Sequence, residues 1–379
     1  MPVIMLLLSS FLVFALAAAA ADLRLGIVGT DTSHATEFTK LLNGGVVQGA
    51  RVVAAYKGGS PDVESSRTRV DRFAQELQQK WSVEFVPDIP SLCAKVDAIL
   101  IESVDGRAHL AQARAVIAAK RPMFIDKPLA STLDDAREIA RLAKAAGVPW
   151  FSSSSLRWSE ITEKLGGPGI LGATAWGPGP FEEHHQLELS WYAIHPIELL
   201  FTLMGTGCEE VTRVAGADAD EITCRWRDGR VGSVRALRPY GPYGAVVFRK
   251  DGAVMSPSKP RTGYEPLVRE IIEFFKTGHP PVSNEETLEI FCLYGRRAAQ
   301  QGSKWQTDAS AVVPCSIRYD ADGTMAQRVI AIFILFCSFL CAAQSSDSGE
   351  RKPLRLAIVG ARSQPCGWIL PVVEESQRR

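Results

Sequence analysis

The sequence predicts a two-domain α/β chain: a doubly wound parallel sheet, then an α+β domain on an open, mostly antiparallel sheet. Short apolar runs alternate with helical periodicity from residue 23 to 153, the pattern of strands crossing over through helices. Strand-like runs then follow one another directly between residues 211 and 249. A length of 379 residues, 46% of them hydrophobic, is enough for two cores.

Arg24–Gly29 is an apolar run ending in glycine, followed by Thr30-Asp31-Thr32-Ser33 and a helical pattern from His34 to Leu42. A strand, a tight turn and a Thr- or Ser-capped helix open a Rossmann-type doubly wound sheet. Further strands are expected at Arg51–Tyr56, Val83–Val86, Val96–Glu102, Met123–Ile125 and Val148–Ser152. Helices are expected at Val63–Lys80, Ala108–Ala119 and Leu133–Ala146. The dinucleotide-binding domain would thus occupy residues 22–153, and the substrate domain 154–305, with a linker over 306–324. In the second domain a Gly- and Pro-rich stretch (Gly166–Pro180) precedes a helix over Leu189–Met204. Strands follow at Val211–Ala215, Glu221–Trp226, Val231–Arg235 and Ala245–Arg249, then helices at Leu267–Phe275 and Thr287–Ala299.

Ligands of such sheets bind outside the carboxyl ends of the strands. That rule aligns Gly29–Ser33, Lys57–Ser60, Ser103–Arg107 and Asp126–Pro128 on one rim. A pyrophosphate would meet the helix N-terminus after Ser33, with hydroxyl donors from Thr30, Thr32 and Ser33. The G-x-G-x-x-G pattern fails at Asp31 and His34. A carboxylate about 4 Å from a phosphate costs about 1 kcal/mol in water and about 4 near a protein surface. Either Asp31 turns back to cap the helix, or no dinucleotide binds. At the end of the second strand stands Lys57, which could pair with a 2′-phosphate and tilts the cofactor from NAD towards NADP. The other reading is a solvated loop lysine.

The segment Ala98–Ala130, AILIESVDGRAHLAQARAVIAAKRPMFIDKPLA, resembles the signature stretch of the Gfo/Idh/MocA oxidoreductases, and the resemblance runs over residues 23–300. The family's Glu-Lys-Pro is Asp126-Lys127-Pro128 here, which keeps the charge. The resemblance implies cofactor contacts at Ser103, His109 and Asp126, and places Lys127 beside the nicotinamide and the reacting hydroxyl with Pro128 fixing the backbone. A desolvated lysine there can exchange the hydroxyl proton. In the family's second motif, Asp-x-x-x-His, His195 fits the catalytic histidine but Trp191 stands at the Asp position. Glu198, one turn on, could partly replace that carboxylate, and Trp191 and Tyr192 suit an apolar sugar face. A core histidine and plain core aromatics are the competing readings.

No metal site is expected. Glu182-Glu183-His184-His185 lacks a third ligand and reads as a solvated loop. Five cysteines between the two leader-like segments (Cys93, Cys208, Cys224, Cys292, Cys315) are an odd, scattered set, read as small apolar residues. Zero net charge gives no reason to expect nucleic acid.

Residues 1–21 are apolar and end in alanines, the form of a cleaved signal peptide, so an exported protein is expected. A membrane association would require an uncleaved leader. Residues 325–343 read as a second leader, and Leu354–Gly360 repeats Leu23–Gly29 almost residue for residue. Residues 325–379 are therefore expected to be the start of a tandem gene rather than a folded domain, the alternative being a membrane anchor. Three functions follow: an NAD(P)-dependent sugar or polyol oxidoreductase, an enzyme using a retained nicotinamide transiently, and a non-catalytic sugar- or nucleotide-binding protein. Export favours a retained cofactor or none, since free dinucleotide is scarce outside the cytoplasm. A homo-oligomer pairing through an exposed sheet face is also expected.

Overall fold

The computed structural model describes residues 22–295. Cys315 and the segments expected to be leaders, at 1–21 and within 325–379, lie outside the described residues.

The first sheet is built from β1 (Leu23–Val28), β2 (Ala50–Tyr56), β3 (Glu84–Phe85), β4 (Ala98–Ile101), β5 (Met123–Ile125) and β6 (Trp150–Ser152). Between them run α1 (Ser33–Asn43), α2 (Glu64–Arg67), α3 (Val70–Trp81), α4 (Ile89–Lys95), α5 (Gly106–Ala118) and α6 (Leu133–Ala146). All strands are parallel, in the order β3-β2-β1-β4-β5-β6, so the fold class is as expected. The chain reverses its direction of winding between β1 and β4, and the crevice at that switch point is where ligands bind. Helix starts follow local chemistry: Thr32, Asp105 and Thr132 each accept a backbone N–H of the first turn of α1, α5 and α6. The helix expected over Val63–Lys80 divides at Thr68–Arg69, where Thr68 Oγ1 donates back to the Glu64 carbonyl.

The second sheet follows α7 (Glu160–Leu165) and contains β7 (Gly172–Pro178), β8 (Cys208–Ala215), β9 (Ala219–Trp226), β10 (Val231–Leu237), β11 (Gly244–Arg249) and β12 (Gly252–Met255). Its order is β12-β11-β7-β10-β9-β8, antiparallel except where β7 meets β10. The Gly- and Pro-rich stretch thus supplies a central strand. Its small residues are what allow it: Tyr243 lies so close to Gly177 that a Cβ there would come within 2.5 Å of the ring.

Helix α8 (Ile194–Met204) is buried along nearly its whole length and packs on β7 and β10. The helix expected to begin at Leu189 starts only at Ile194, after a 3₁₀ turn at Glu188–Ser190. The last helices, α9 (Glu265–Thr277) and α10 (Asn284–Gly295), return to the first sheet. Leu267, Ile271, Ile272 and Phe274 share a core with β1, β2 and α1, while α10 lies against α6 and β6. Cys93, Cys208, Cys224 and Cys292 are buried and form no disulfide among the described residues. No helix among these residues is long and apolar enough to cross a membrane.

Candidate active site

Lys127 leaves the end of β5 through a cis Lys127–Pro128 peptide and is 9% exposed. Its ammonium stands 5.5 Å from the centroid of the Tyr192 ring, a cation–π distance. Tyr192 meets His195 edge-on with centroids 5.3 Å apart, and Tyr243 meets the same imidazole edge-on at 5.8 Å. Lysine, histidine and tyrosines thus converge from both sheets on one site. Burial, together with the charges of Lys127 and His34, holds the His195 imidazole well below its ordinary pKa, so it is neutral at neutral pH.

His195 Nδ1 lies 2.7 Å from Ser154 Oγ, which leaves Nε2 for a substrate. Glu198 does not take the place of the missing Asp, because its carboxylate faces Arg157, Ser153 Oγ and the Ser154 N–H instead. It is buried there and lines no substrate surface. Trp191 likewise turns away and packs edge-on against His185, 4.8 Å between centroids. Of the expected substrate residues, only Tyr192 faces Lys127.

The rim residues divide. Ser33, at the first turn of α1, is partly exposed and lies beside Tyr264, whose hydroxyl burial pushes up to about 12. Gly29, Thr30, Asp31 and Ser103 are closed over by the chain itself. Thr30 N donates to the Lys57 carbonyl, and Thr30 Oγ1 contacts the Lys57 and Val70 carbonyls. A Cβ at Gly29 would fall onto Ser103, and one at Gly58 within 3.1 Å of Gly29 Cα. Asp31 does not cap α1, which is the role of Thr32. Its carboxylate accepts Ser66 Oγ at 2.6 Å and the Val104 N–H at 3.1 Å, joining α2 to the loop after β4. Burial pushes Asp31 up, against those two hydrogen bonds.

Lys57 pairs with Asp71 instead of standing free. His109 is fully buried, its ring spanning the Ser103 and Leu129 carbonyls at 2.8 and 3.2 Å. A neutral imidazole has one N–H for those two acceptors, and burial keeps it neutral. His109 therefore braces the rim from beneath. Asp126 is also buried, accepting the Lys127 N–H at 2.8 Å and meeting His34 Nδ1 at 2.7 Å.

The segment expected to be a solvated loop is a second brace. His185 is buried with Nε2 3.2 Å from Asp105 Oδ1, and Arg107 joins Asp105 to Asp62 through bidentate contacts. Sequence reading placed Asp105 and Arg107 on the rim within Ser103–Arg107 without giving them a role, and it missed Asp62 and Ser154, the latter signalled only by the polar run Ser152–Ser155. At its reacting end the site fits a nicotinamide beside an alcohol: a cation, a neutral imidazole and aromatic walls. At the other end, residues 58–66 lie against Gly29, Asp31 and Arg107.

Residues 23–153 match the family model described as "Oxidoreductase family, NAD-binding Rossmann fold". The match is to the NAD-binding domain of the Gfo/Idh/MocA family. Similar curated proteins are the inositol 2-dehydrogenases of Cereibacter sphaeroides, 35% identical over 128 residues, and of Paracoccus denitrificans, 32% identical over 125 residues. Each alignment covers 33% of this chain and 34% of the relative, so the chain spans about a third of the length of the relatives it matches. Solved structures extend the likeness to both sheets at the level of fold. The myo-inositol dehydrogenase of Lactobacillus casei, in complex with NAD(H) and myo-inositol, aligns with a TM-score of 0.57 at 18% identity. It covers 76% of this chain and 99% of its own. A dehydrogenase of Clostridium difficile aligns with a TM-score of 0.59 at 13% identity, covering 74% and 99%. The domain matched by that model supplies Lys127, and the segment leading into α8 supplies Tyr192 and His195.

Proposed function

We propose that the chain is an oxidoreductase acting on a hydroxyl of a sugar or polyol, with a nicotinamide dinucleotide as its redox partner. The observation that carries this reading is the meeting of Lys127 with His195 against Tyr192. When bound, the nicotinamide supplies the hydride acceptor or donor. Lys127 would hold the reacting oxygen through an N–H donor and lower the cost of negative charge on it. His195 Nε2 would take or return the hydroxyl proton. The Ser154 hydroxyl can donate to a bare Nδ1 or accept from a protonated one, so the ring can switch tautomer as Nε2 changes state. Tyr192 and Tyr243 offer apolar faces to a sugar ring and limit access of water.

Lys57 was expected to favour NADP. Its pairing with Asp71 brings a carboxylate to that rim position, which disfavours a 2′-phosphate, so NAD is the preferred form in this reading. Export through residues 1–21 is part of the same proposal, as is self-association through the second sheet, where Val214, Val231, Phe248 and Val254 are exposed. A non-catalytic binding protein is the second reading, favoured by the stitching of residues 57–66 across the crevice.

The test is titration of the full chain with NADH and NADPH by reduced-nicotinamide fluorescence, with cofactor analysis of the denatured protein and turnover of myo-inositol and related polyols. Tighter binding of NADH, with turnover abolished in Lys127→Met, supports the proposal. Absence of any bound or retained dinucleotide would leave the binding-protein reading.

A further inference from the structure

At the switch point, three side chains from three elements converge beneath the rim. His34 comes from the first turn of α1, Glu102 from the residue after β4, and Asp126 from the residue after β5. One ligand-type atom from each lies within 4.8 Å of the others, and all three residues are buried. His34 is held in place by stacking on Phe38 and by the edge of Tyr264.

Glu102 is the anomaly. It is 0% exposed, and neither carboxylate oxygen has a hydrogen-bond partner. An orphaned buried carboxylate costs several kcal/mol, roughly, unless something compensates it. The Lys127 ammonium contributes attraction, but its side chain lies over Tyr192. The backbone around Glu102 is well satisfied, with its N–H donating to Val28 and its carbonyl accepting Thr32 Oγ1. The missing partner therefore belongs on the side where His34 and Asp126 lie.

We propose that His34, Glu102 and Asp126 form a binding site for one first-row transition dication, of which Zn²⁺ and Mn²⁺ are the chemical type. One imidazole and two carboxylates without a thiolate suit such ions. Bonds of about 2.1 Å would bring the ligand atoms to about 3.0–3.4 Å from one another. His34 Nδ1 and Asp126 Oδ2 stand 2.7 Å apart, so they part slightly, giving up the proton they share, while Glu102 moves in. The cation balances the charge of two buried carboxylates, of which Glu102 has no hydrogen-bond partner of its own. It also ties the ends of β4 and β5 to α1 directly under Lys127. This proposal does not depend on which substrate or dinucleotide the rim accepts.

The experiment uses the untagged full chain, stripped with chelator and titrated calorimetrically with Zn²⁺ and Mn²⁺, with metal content read by mass spectrometry. One equivalent is expected, with a Kd of about 1 µM or tighter, and a higher Tm for the loaded protein. Glu102→Gln keeps the side-chain shape and should weaken binding about 100-fold or more. X-ray absorption of the loaded wild type should show only nitrogen and oxygen neighbours. Failure of the wild type to take up either metal overturns the site, whatever the variant does. Sulfur in the coordination shell, or affinity unchanged in both a folded Glu102→Gln and a folded His34→Gln protein, places the metal elsewhere and overturns it equally.

Discussion

Ser154 Oγ lies 2.7 Å from His195 Nδ1, and the Ser154 backbone N–H is itself held by Glu198 Oε2 at 3.0 Å. The histidine is thus oriented by a hydroxyl, with the carboxylate one step further back. Removing that hydroxyl loses a hydrogen bond of roughly 1 kcal/mol, or roughly fivefold in rate. Ser154→Ala should lower kcat by about fivefold and leave KM nearly unchanged in steady-state assays of polyol oxidation. An unaltered kcat would show that Nδ1 needs no partner.

Asp62 meets Arg107 through two hydrogen bonds of 2.8 and 2.9 Å and so holds the loop after β2 across the crevice. The pair is half-exposed, a class of ion pair that contributes about 0.2–1 kcal/mol. Freeing the loop should let a dinucleotide in at less cost. Asp62→Asn is expected to tighten NADH binding by about two- to fivefold, read by fluorescence titration, with little change in Tm. Weaker binding would mean that the loop forms part of the cofactor site.

The first sheet was legible because its strands are continuous apolar runs and its helices have strong caps, as at Thr32 and Thr132. β7 was not, since Gly172–Pro178 carries the composition of a loop and is a strand only because β10 and β11 pair with it. Lys127 and His195 stood out as single residues in recognisable segments. Their meeting at Tyr192 depends on how one sheet's helix meets the other sheet's rim, which no local pattern encodes. Glu198 shows the limit of helical spacing: it shares a face with His195, yet Arg157, distant in sequence, takes its carboxylate.

Asp105 supplies a pH dependence. Burial pushes its carboxyl up, but hydrogen bonds from His185, Arg107 and Ser60 outweigh that and hold it far below the usual carboxylate range. A folded pKa below the unfolded value of about 3.9 adds stability that is complete above that value and is lost progressively as pH falls from it towards the folded pKa. Urea denaturation from pH 7 to pH 3 should show wild-type stability dropping steeply below about pH 4. Asp105→Asn should be less stable at pH 7 and show a shallower drop. Parallel curves for the two proteins would mean that other carboxylates set the acid limit.

Arg157 stands between Glu198 and Glu286, its Nη1 2.6 Å from Glu286 Oε1, with its own side chain 7% exposed. It joins the turn after β6 to α8 and α10, and through Glu198 it fixes the serine that orients His195. Replacing it leaves two carboxylates facing each other in a buried place. Breaking a buried pair from one side costs about 3–5 kcal/mol. Arg157→Leu should lose about that much in denaturant unfolding, and Arg157→Leu combined with Glu198→Gln and Glu286→Gln should regain a large part of it, because the uncompensated charge is gone. The triple variant should nevertheless keep a reduced kcat, since the side chain that accepts the Ser154 N–H is no longer anchored by Arg157. Full activity together with restored stability would show that the network supports the fold alone.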